Sequence, residues 1–263
     1  MAYLYETHLH TSQASSCGRS RGSEYVRRYK ELGYAGIIVT DHFFRGNCAV
    51  DSWLKWPGKV KAFCRGYENA REEGERCGLD VFFGWEETYN GDDYLVYGLD
   101  KEWLLEHPEV CGWTREEQLE EVRRYGGCVV QAHPFRQYHY INRIVLSGSV
   151  DAVEAANCGN QQSFDALAWL YAKKIKVPIT AGSDIHLASD VQDGVVFGVY
   201  LDKRMETIAD YVNAVRNNII KRLRVPEGRF NLNGNERILL PVDILDSRGR
   251  RTGKDITEFL GLE

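Results

Sequence analysis

From the N-terminus to about residue 218, short apolar runs alternate with longer stretches in which apolar residues recur every three or four positions. The short runs at 3–5, 37–39, 81–83, 128–130 and 178–181 predict buried strands, and 94–98, 150–156 and 195–201 add three more. The longer stretches predict helices. Residues 23–32 end at Gly33, and 59–77 place Val60, Phe63, Tyr67 and Ala70 on one face before Gly78. Thr114 to Glu117 form a capping box for a helix with Leu119 and Val122 inward. Residues 163–176 carry Phe164, Leu167, Ala168, Tyr171 and Ile175 on one stripe before Pro178, and 205–217 align Ile208, Tyr211, Val212 and Val215. Alternation of this kind predicts an α/β fold with parallel strands and helical crossovers.

The last stretch breaks the rhythm. Residues 238–245 are strand-like, a turn rich in Gly and Arg follows at 247–253, and no helix of comparable strength is present. The expected organisation is a barrel over residues 1–224 with a small C-terminal β-hairpin appendage, 225–263, packed on it. Arg248, Arg250, Arg251 and Lys254 read as a solvated turn rather than an anion site.

Composition narrows the function more than the fold. The 263 residues, 43% hydrophobic and 27% charged, are ordinary for a globular protein. A net charge of −5 disfavours long nucleic acid as a partner. A small anionic substrate stays open, because a metal cluster can supply local positive charge. No apolar stretch has the length of a membrane span, and residues 1–10 lack the features of a signal peptide, so a cytoplasmic protein is expected. The seven cysteines are odd in number and have no C-x-x-C spacing, which argues against a disulfide framework and a cysteine zinc site. Most are expected to be small buried hydrophobes. Nothing in the sequence indicates an oligomeric state.

The chemistry gathers at the strand ends. Thr7-His8-Leu9-His10, Thr40-Asp41-His42, His133-Pro134 and Ser183-Asp184-Ile185-His186 each follow a predicted strand, and Gly84-Trp85-Glu86-Glu87 follows a fifth. Of seven histidines, five sit in these segments. His8 and His10, two apart on a strand, project to the same side. Asp184 and His186 repeat the spacing. Imidazole with carboxylate suits Zn²⁺, Mn²⁺ or Fe²⁺ better than Mg²⁺ or Ca²⁺, and Glu86 can bridge two cations. Glu87, its neighbour, points the other way and is expected to be structural. Ligands from at least five strand ends converge best in a closed or nearly closed barrel, so a seven- or eight-stranded β/α barrel is predicted.

The ordered set His8-x-His10, Thr40-Asp41-His42, Gly84-Trp85-Glu86, His133-Pro134 and Ser183-Asp184-x-His186 resembles the PHP superfamily, named for polymerase and histidinol phosphatase domains. The resemblance implies a distorted seven-stranded, TIM-like β/α barrel with two to three divalent metal ions at its C-terminal strand ends. By residue-to-residue match it implies that His8, His10, Glu86 and Asp184 hold one metal. His133 would share Glu86 with a second, and His42 with His186 would hold a third. Many relatives carry another His or Asp near the positions of Ser15 and Ser16. Serine is a poor ligand, so the third site is expected to be incomplete or filled by water. Relatives also often have a histidine on the strand after the glutamate; here Asp93 is either its replacement or a turn carboxylate.

The expected activity is that of a metal-dependent phosphoesterase acting on small phosphorylated substrates, through attack of a metal-bound hydroxide at phosphorus. Histidinol-phosphatase-like activity is one version. His42 or His186 would protonate the leaving alkoxide, and Asp184 belongs with them in the catalytic group. Arg136 is either a phosphate fork or a rim arginine. Arg19, with Arg21, follows the first motif, and Asn157 at a strand end is a candidate for binding substrate or a ligand. Glu154 equally fits a barrel interior with a buried partner. Asp41 would orient His42 or a loop amide. His107 and His139 lie outside the pattern, and the loop after His42 either lids the pocket or packs the barrel top. Two alternatives stand: an amidohydrolase-type C–N hydrolase, for which no bridging lysine motif is evident, and a non-catalytic metal-binding domain.

Overall fold

The structure is a computed structural model and describes residues 2–262. β1 (Tyr3–Glu6) crosses over through α1 (Gly22–Glu31) to β2 (Gly36–Val39), which runs parallel to it. Both strands are short and apolar because their two faces are covered. The single helix expected over 59–77 is two, α2 (Trp56–Phe63) and α3 (Arg65–Cys77), which separate at Cys64. The break lets the start of α3 press on the loop after β1: a Cβ on Gly66 would lie 2.0 Å from Thr11 Oγ1. Gly78, at φ 75°, ends α3. β3 (Asp80–Tyr89) then adds in parallel to β2.

Here the uniformly parallel arrangement fails. Asn90 and Gly91 have φ of 56° and 97°, the two-residue hairpin turn that Asn-Gly favours. β4 (Asp92–Tyr97) therefore folds back antiparallel on β3, with Leu95 opposite Glu86. After α4 (Lys101–Glu106) and α5 (Arg115–Arg124), whose Thr114 capping box forms as expected, β5 (Cys128–Gln131) is antiparallel to β4. β6 (Ile144–Ser147) stands outside the main sheet. β7 (Ala152–Asn157), α6 (Gln162–Ile175) and β8 (Ile179–Gly182) restore the parallel order beside β5. β9 (Gly198–Leu201) runs antiparallel to β1. Beyond α7 (Ile208–Arg216), β10 (Arg222–Arg224) runs antiparallel to β9.

The main sheet thus has nine strands rather than seven or eight, in the order β10-β9-β1-β2-β3-β4-β5-β7-β8. It curls into a nearly closed barrel. The seam is made beyond the strands, where Asp184 N–H donates to His8 O at 2.8 Å and His10 N–H donates to Ile185 O at 3.0 Å.

The tail departs from expectation. β11 (Val242–Leu245) runs parallel to β6 instead of forming a hairpin, and one antiparallel bridge, Leu245 to Arg251, closes the turn behind it. α8 (Ile256–Leu260) follows. The reason is burial: β6 has an open edge, and pairing with it puts Ile244 and Leu260 into the same core as Ile144, Leu146 and Leu167. Arg250 and Arg251 pair with Asp246 and Asp243 on the solvated turn. All seven cysteines are free, and only Cys64 and Cys128 are buried, so most are not core hydrophobes. No helix among the described residues is long and apolar enough to cross a membrane.

Candidate metal centre

Consecutive strand-end segments hydrogen-bond to one another, which fixes their side chains against a common centre. Thr40 N–H donates to Leu9 O, Glu86 N–H to Asp41 O and Phe43 N–H to Glu86 O. His8, His10, Glu86, His133 and Asp184 are buried there, with His42 and His186 toward the more open side. Their ligand atoms form three overlapping groups, each within 4.8 Å: His8, His10 and Asp184; His8, Glu86 and His133; His10, His42 and His186.

The hydrogen bonds around the rim decide which nitrogens face inward. His8 Nδ1 lies 2.9 Å from Glu154 Oε1, and an ionised carboxylate only accepts, so Nδ1 carries the proton in the neutral ring. Ser15 Oγ donates its one proton to Asp41 Oδ1 at 2.6 Å. It must then accept from His10 Nδ1, 3.2 Å away. His186 Nδ1 donates to the Asp184 carbonyl at 2.7 Å. In their neutral forms His8 and His10 point their Nε2 lone pairs at each other across 3.1 Å. Asp184 Oδ1 lies 3.5 Å and 3.1 Å from those two nitrogens, and Glu86 Oε1 is 3.3 Å from His8 Nε2. Four electron pairs converge where no neutral donor stands between them. That arrangement suits a divalent cation.

Electrostatics point the same way. Burial opposes a charge on His8, yet Glu154, Asp184 and Glu86 hold its pKa well above the ordinary imidazole value. Burial pushes Glu86 up, but His42 and His8 bring it well below the carboxylate range. Asp184 is likewise held low against burial, by Arg136 and His8. The cluster favours positive charge at its centre. Burial, then His42, pushes His10 well below the ordinary value, so this imidazole stays neutral and free to ligate.

Glu86 Oε2 and His42 Nδ1 are 2.7 Å apart, but their alignment is wrong for a hydrogen bond, and both atoms are buried without a partner. They form a close ion pair, and each could instead offer an electron pair to a cation. Asp93, the other expected ligand, accepts from Thr88 Oγ1 at 2.6 Å and lies 4.0 Å from His133 Nε2. It stands at the cavity wall outside the three groups.

A cavity of about 440 Å³ opens onto the cluster, lined by Cys17, Asn47, Thr88, Tyr140 and Arg136 besides the ligand candidates. Arg136 is held by Asn160 Oδ1 on Nε and Asn157 Oδ1 on Nη2, which aims Nη1 at Asp184 Oδ2, 2.6 Å away. Asn157, expected to bind substrate or a ligand, is not among the residues lining this cavity. It is fully buried, donates to Glu154 Oε2 and accepts from Arg136 and from Gly159 N–H, so it positions its neighbours. Arg19 is exposed and lies off the cavity wall, tied to the site only through its N–H to His186 O. Asp41 accepts from Thr11 N–H, Thr11 Oγ1 and Ser15 Oγ, and burial pushes its carboxyl up to about 6.

Glu87 turns to the opposite face and takes a two-point pairing from Arg45. His107 stacks on Trp103, and His139 lies edge-on to Tyr140. In the loop after His42, Phe43 packs into the core against Trp85 rather than covering the cavity. Cys17 lines the cavity. Burial raises its thiol, but His186 and His42 pull it down to about 6.

No family model matches this sequence, and no curated protein does. The fold is shared with a two-domain protein from Bacteroides vulgatus containing a predicted PHP-like metal-dependent phosphoesterase, at TM-score 0.54 and 15% identity over 83% of this chain. This chain spans 64% of that protein's length. PsfC from Pseudomonas syringae aligns at TM-score 0.51 and 16% identity, over 87% of this chain and 93% of its own. An amidohydrolase from Chromobacterium violaceum aligns at 0.49 and 14% identity, over 80% and 96%; that likeness favours no chemistry.

Proposed function

We propose that this chain is a metal-dependent phosphoesterase that hydrolyses small phosphate esters. One observation carries the reading: the opposed Nε2 atoms of His8 and His10 at 3.1 Å, flanked by Glu86 and Asp184. Divalent ions bound there would stabilise charge on the phosphoryl oxygens and lower the pKa of a water nucleophile. His8, His10, Glu86 and Asp184 would hold the first ion, His133 with Glu86 a second, and His42 with His186 a third.

The remaining work falls to the cavity wall. Arg136 presents Nη1 into the cavity with its other nitrogens already engaged, so a phosphate oxygen can compete with Asp184 for it at little ordering cost. His42 and His186 flank the more open side, and either, when not engaged by a cation, would hand a proton to the leaving alkoxide. Tyr140 lies on the cavity wall. The lining includes no lysine, which weighs against the amidohydrolase alternative that a bridging lysine would mark.

The test is phosphate release from a panel of small monoesters and diesters by Mn²⁺- or Zn²⁺-loaded protein. Activity should vanish with chelator and fall about a hundredfold or more in Asp184→Ala. Full metal loading with no hydrolysis of any ester would favour the non-catalytic reading.

A further inference from the structure

A second arginine stands behind Arg136. Arg229 lies in the turn after β10, placed by Phe230, which stacks on Trp169, and by Gln162 Nε2, which donates to Gly228 O at 3.1 Å. Its Nε donates to Asp165 Oδ2 at 2.7 Å, and its Nη2 to the carbonyls of Asn157 and Asn160 at 3.1 Å and 2.7 Å. The same Asp165 accepts from Asn157 N–H at 3.1 Å and from Asn160 Nδ2 at 2.8 Å. Each asparagine then turns its Oδ1 to Arg136: Asn160 accepts from Nε at 2.9 Å and Asn157 from Nη2 at 2.8 Å. Asn157 Nδ2 is taken by Glu154, so neither amide can turn over without setting N–H against the guanidinium. Asp165, Asn157 and Asn160 are all buried.

We propose that Arg229 is a positioning residue for Arg136, acting through Asp165, Asn157 and Asn160 to fix the guanidinium plane so that Nη1 meets a phosphoryl oxygen in the cavity. A buried ion pair is by itself weak evidence for stability. What sets this one apart is where its hydrogen bonds go. Arg229 clamps both ends of the short loop after β7, and Asp165 orients the two asparagines of that loop. Two of the three guanidinium nitrogens of Arg136 are thereby ordered before a ligand arrives, and the third faces Asp184 Oδ2. A long side chain held this way loses little freedom on binding phosphate. The inference rests on the phosphoesterase reading above. It also gives the stretch after residue 225, expected to be a packed appendage, a part in the site.

The experiment is a double-mutant cycle on the metal-loaded full chain. Arg229→Met, Arg229→Lys and Asn160→Ala are each made in the wild type and in Arg136→Ala. Binding of inorganic phosphate is read by calorimetry, beside kcat and KM for p-nitrophenyl phosphate and ions per chain. In the wild-type background Arg229→Met and Asn160→Ala should each weaken phosphate binding and raise KM about tenfold, with ions per chain unchanged. Arg229→Lys, which keeps a cation beside Asp165 but gives up the fork, should recover part of the loss, and it carries the test where Arg229→Met does not fold. In the Arg136→Ala background none of the three should change either constant further. Losses of equal size in both backgrounds, or loss of ions, would overturn the assignment, because the effect would not pass through Arg136. Unchanged phosphate binding in every folded variant, beside normal hydrolysis by the wild type, would overturn it and leave the phosphoesterase reading standing. A loaded wild type that binds no phosphate and hydrolyses no ester would remove both.

Discussion

At the scale of single residues, Ser15 shows how the site depends on groups that touch no substrate. Its hydroxyl joins Asp41 to His10 Nδ1 and so turns His10 Nε2 inward. Ser15→Ala removes that constraint, and metal affinity, followed by chelator competition, should fall roughly 10- to 100-fold with the fold intact. Unchanged affinity would mean that packing alone orients the ring. Asp165 offers a pH test away from the ions. Burial pushes its carboxyl up to about 6, above the 3.8 of an unperturbed aspartate, against the pull of Arg229. The folded chain then holds this proton more tightly than the unfolded one. The stability it contributes is fully present below the unfolded value and is lost as pH rises through the folded one. In urea melts of metal-free protein, wild-type stability minus that of Asp165→Asn should decline by on the order of 2 kcal/mol between about pH 4 and 7. Parallel pH profiles would contradict it. The ligand candidates were legible as residues because His8-x-His10 and Asp184-x-His186 carry a local parity rule. The roles of Ser15 and Asn157 depend on contacts across the barrel, which no local pattern encodes.

Elements were legible where one stretch of chain decides its own structure. The Thr114 capping box and the stop at Gly78 are local events, and both formed. Direction in the sheet is decided elsewhere. Asn90-Gly91 is a hairpin signal, and weighing it would have turned β4 antiparallel from the sequence. The break at Cys64 has no such signal, since it follows from the approach of α3 to Thr11 and Asp41. That approach is testable: a Cβ on Gly66 would meet Thr11 Oγ1 at 2.0 Å and Asp41 Oδ2 at 2.8 Å. Gly66→Ala should destabilise the protein by about 1–3 kcal/mol and weaken metal binding together, read by thermal melts with and without ion. A neutral substitution would show that α3 can retreat without disturbing the site.

For the whole molecule, the sequence implied a barrel because ligands from distant strand ends need one address. It did not give nine strands, because β10 is only three residues long and partly exposed, too weak a pattern to read. Nor did it reveal that the tail pairs with β6, a contact between strands about a hundred residues apart. Truncation after residue 241 should expose the apolar face that β11 and α8 cover and lower the melting midpoint by roughly 5–10 °C. Ion content per folded chain should not change, since the truncated residues do not line the cavity. An unaltered midpoint would make the tail an ornament rather than part of the core. The central claim is the cluster itself. Metal content by plasma mass spectrometry, after Mn²⁺ or Zn²⁺ loading and removal of free ion, should give about two to three ions per chain and fewer in Asp184→Ala. One ion or none in the wild type, or the same count in the variant, would contradict it.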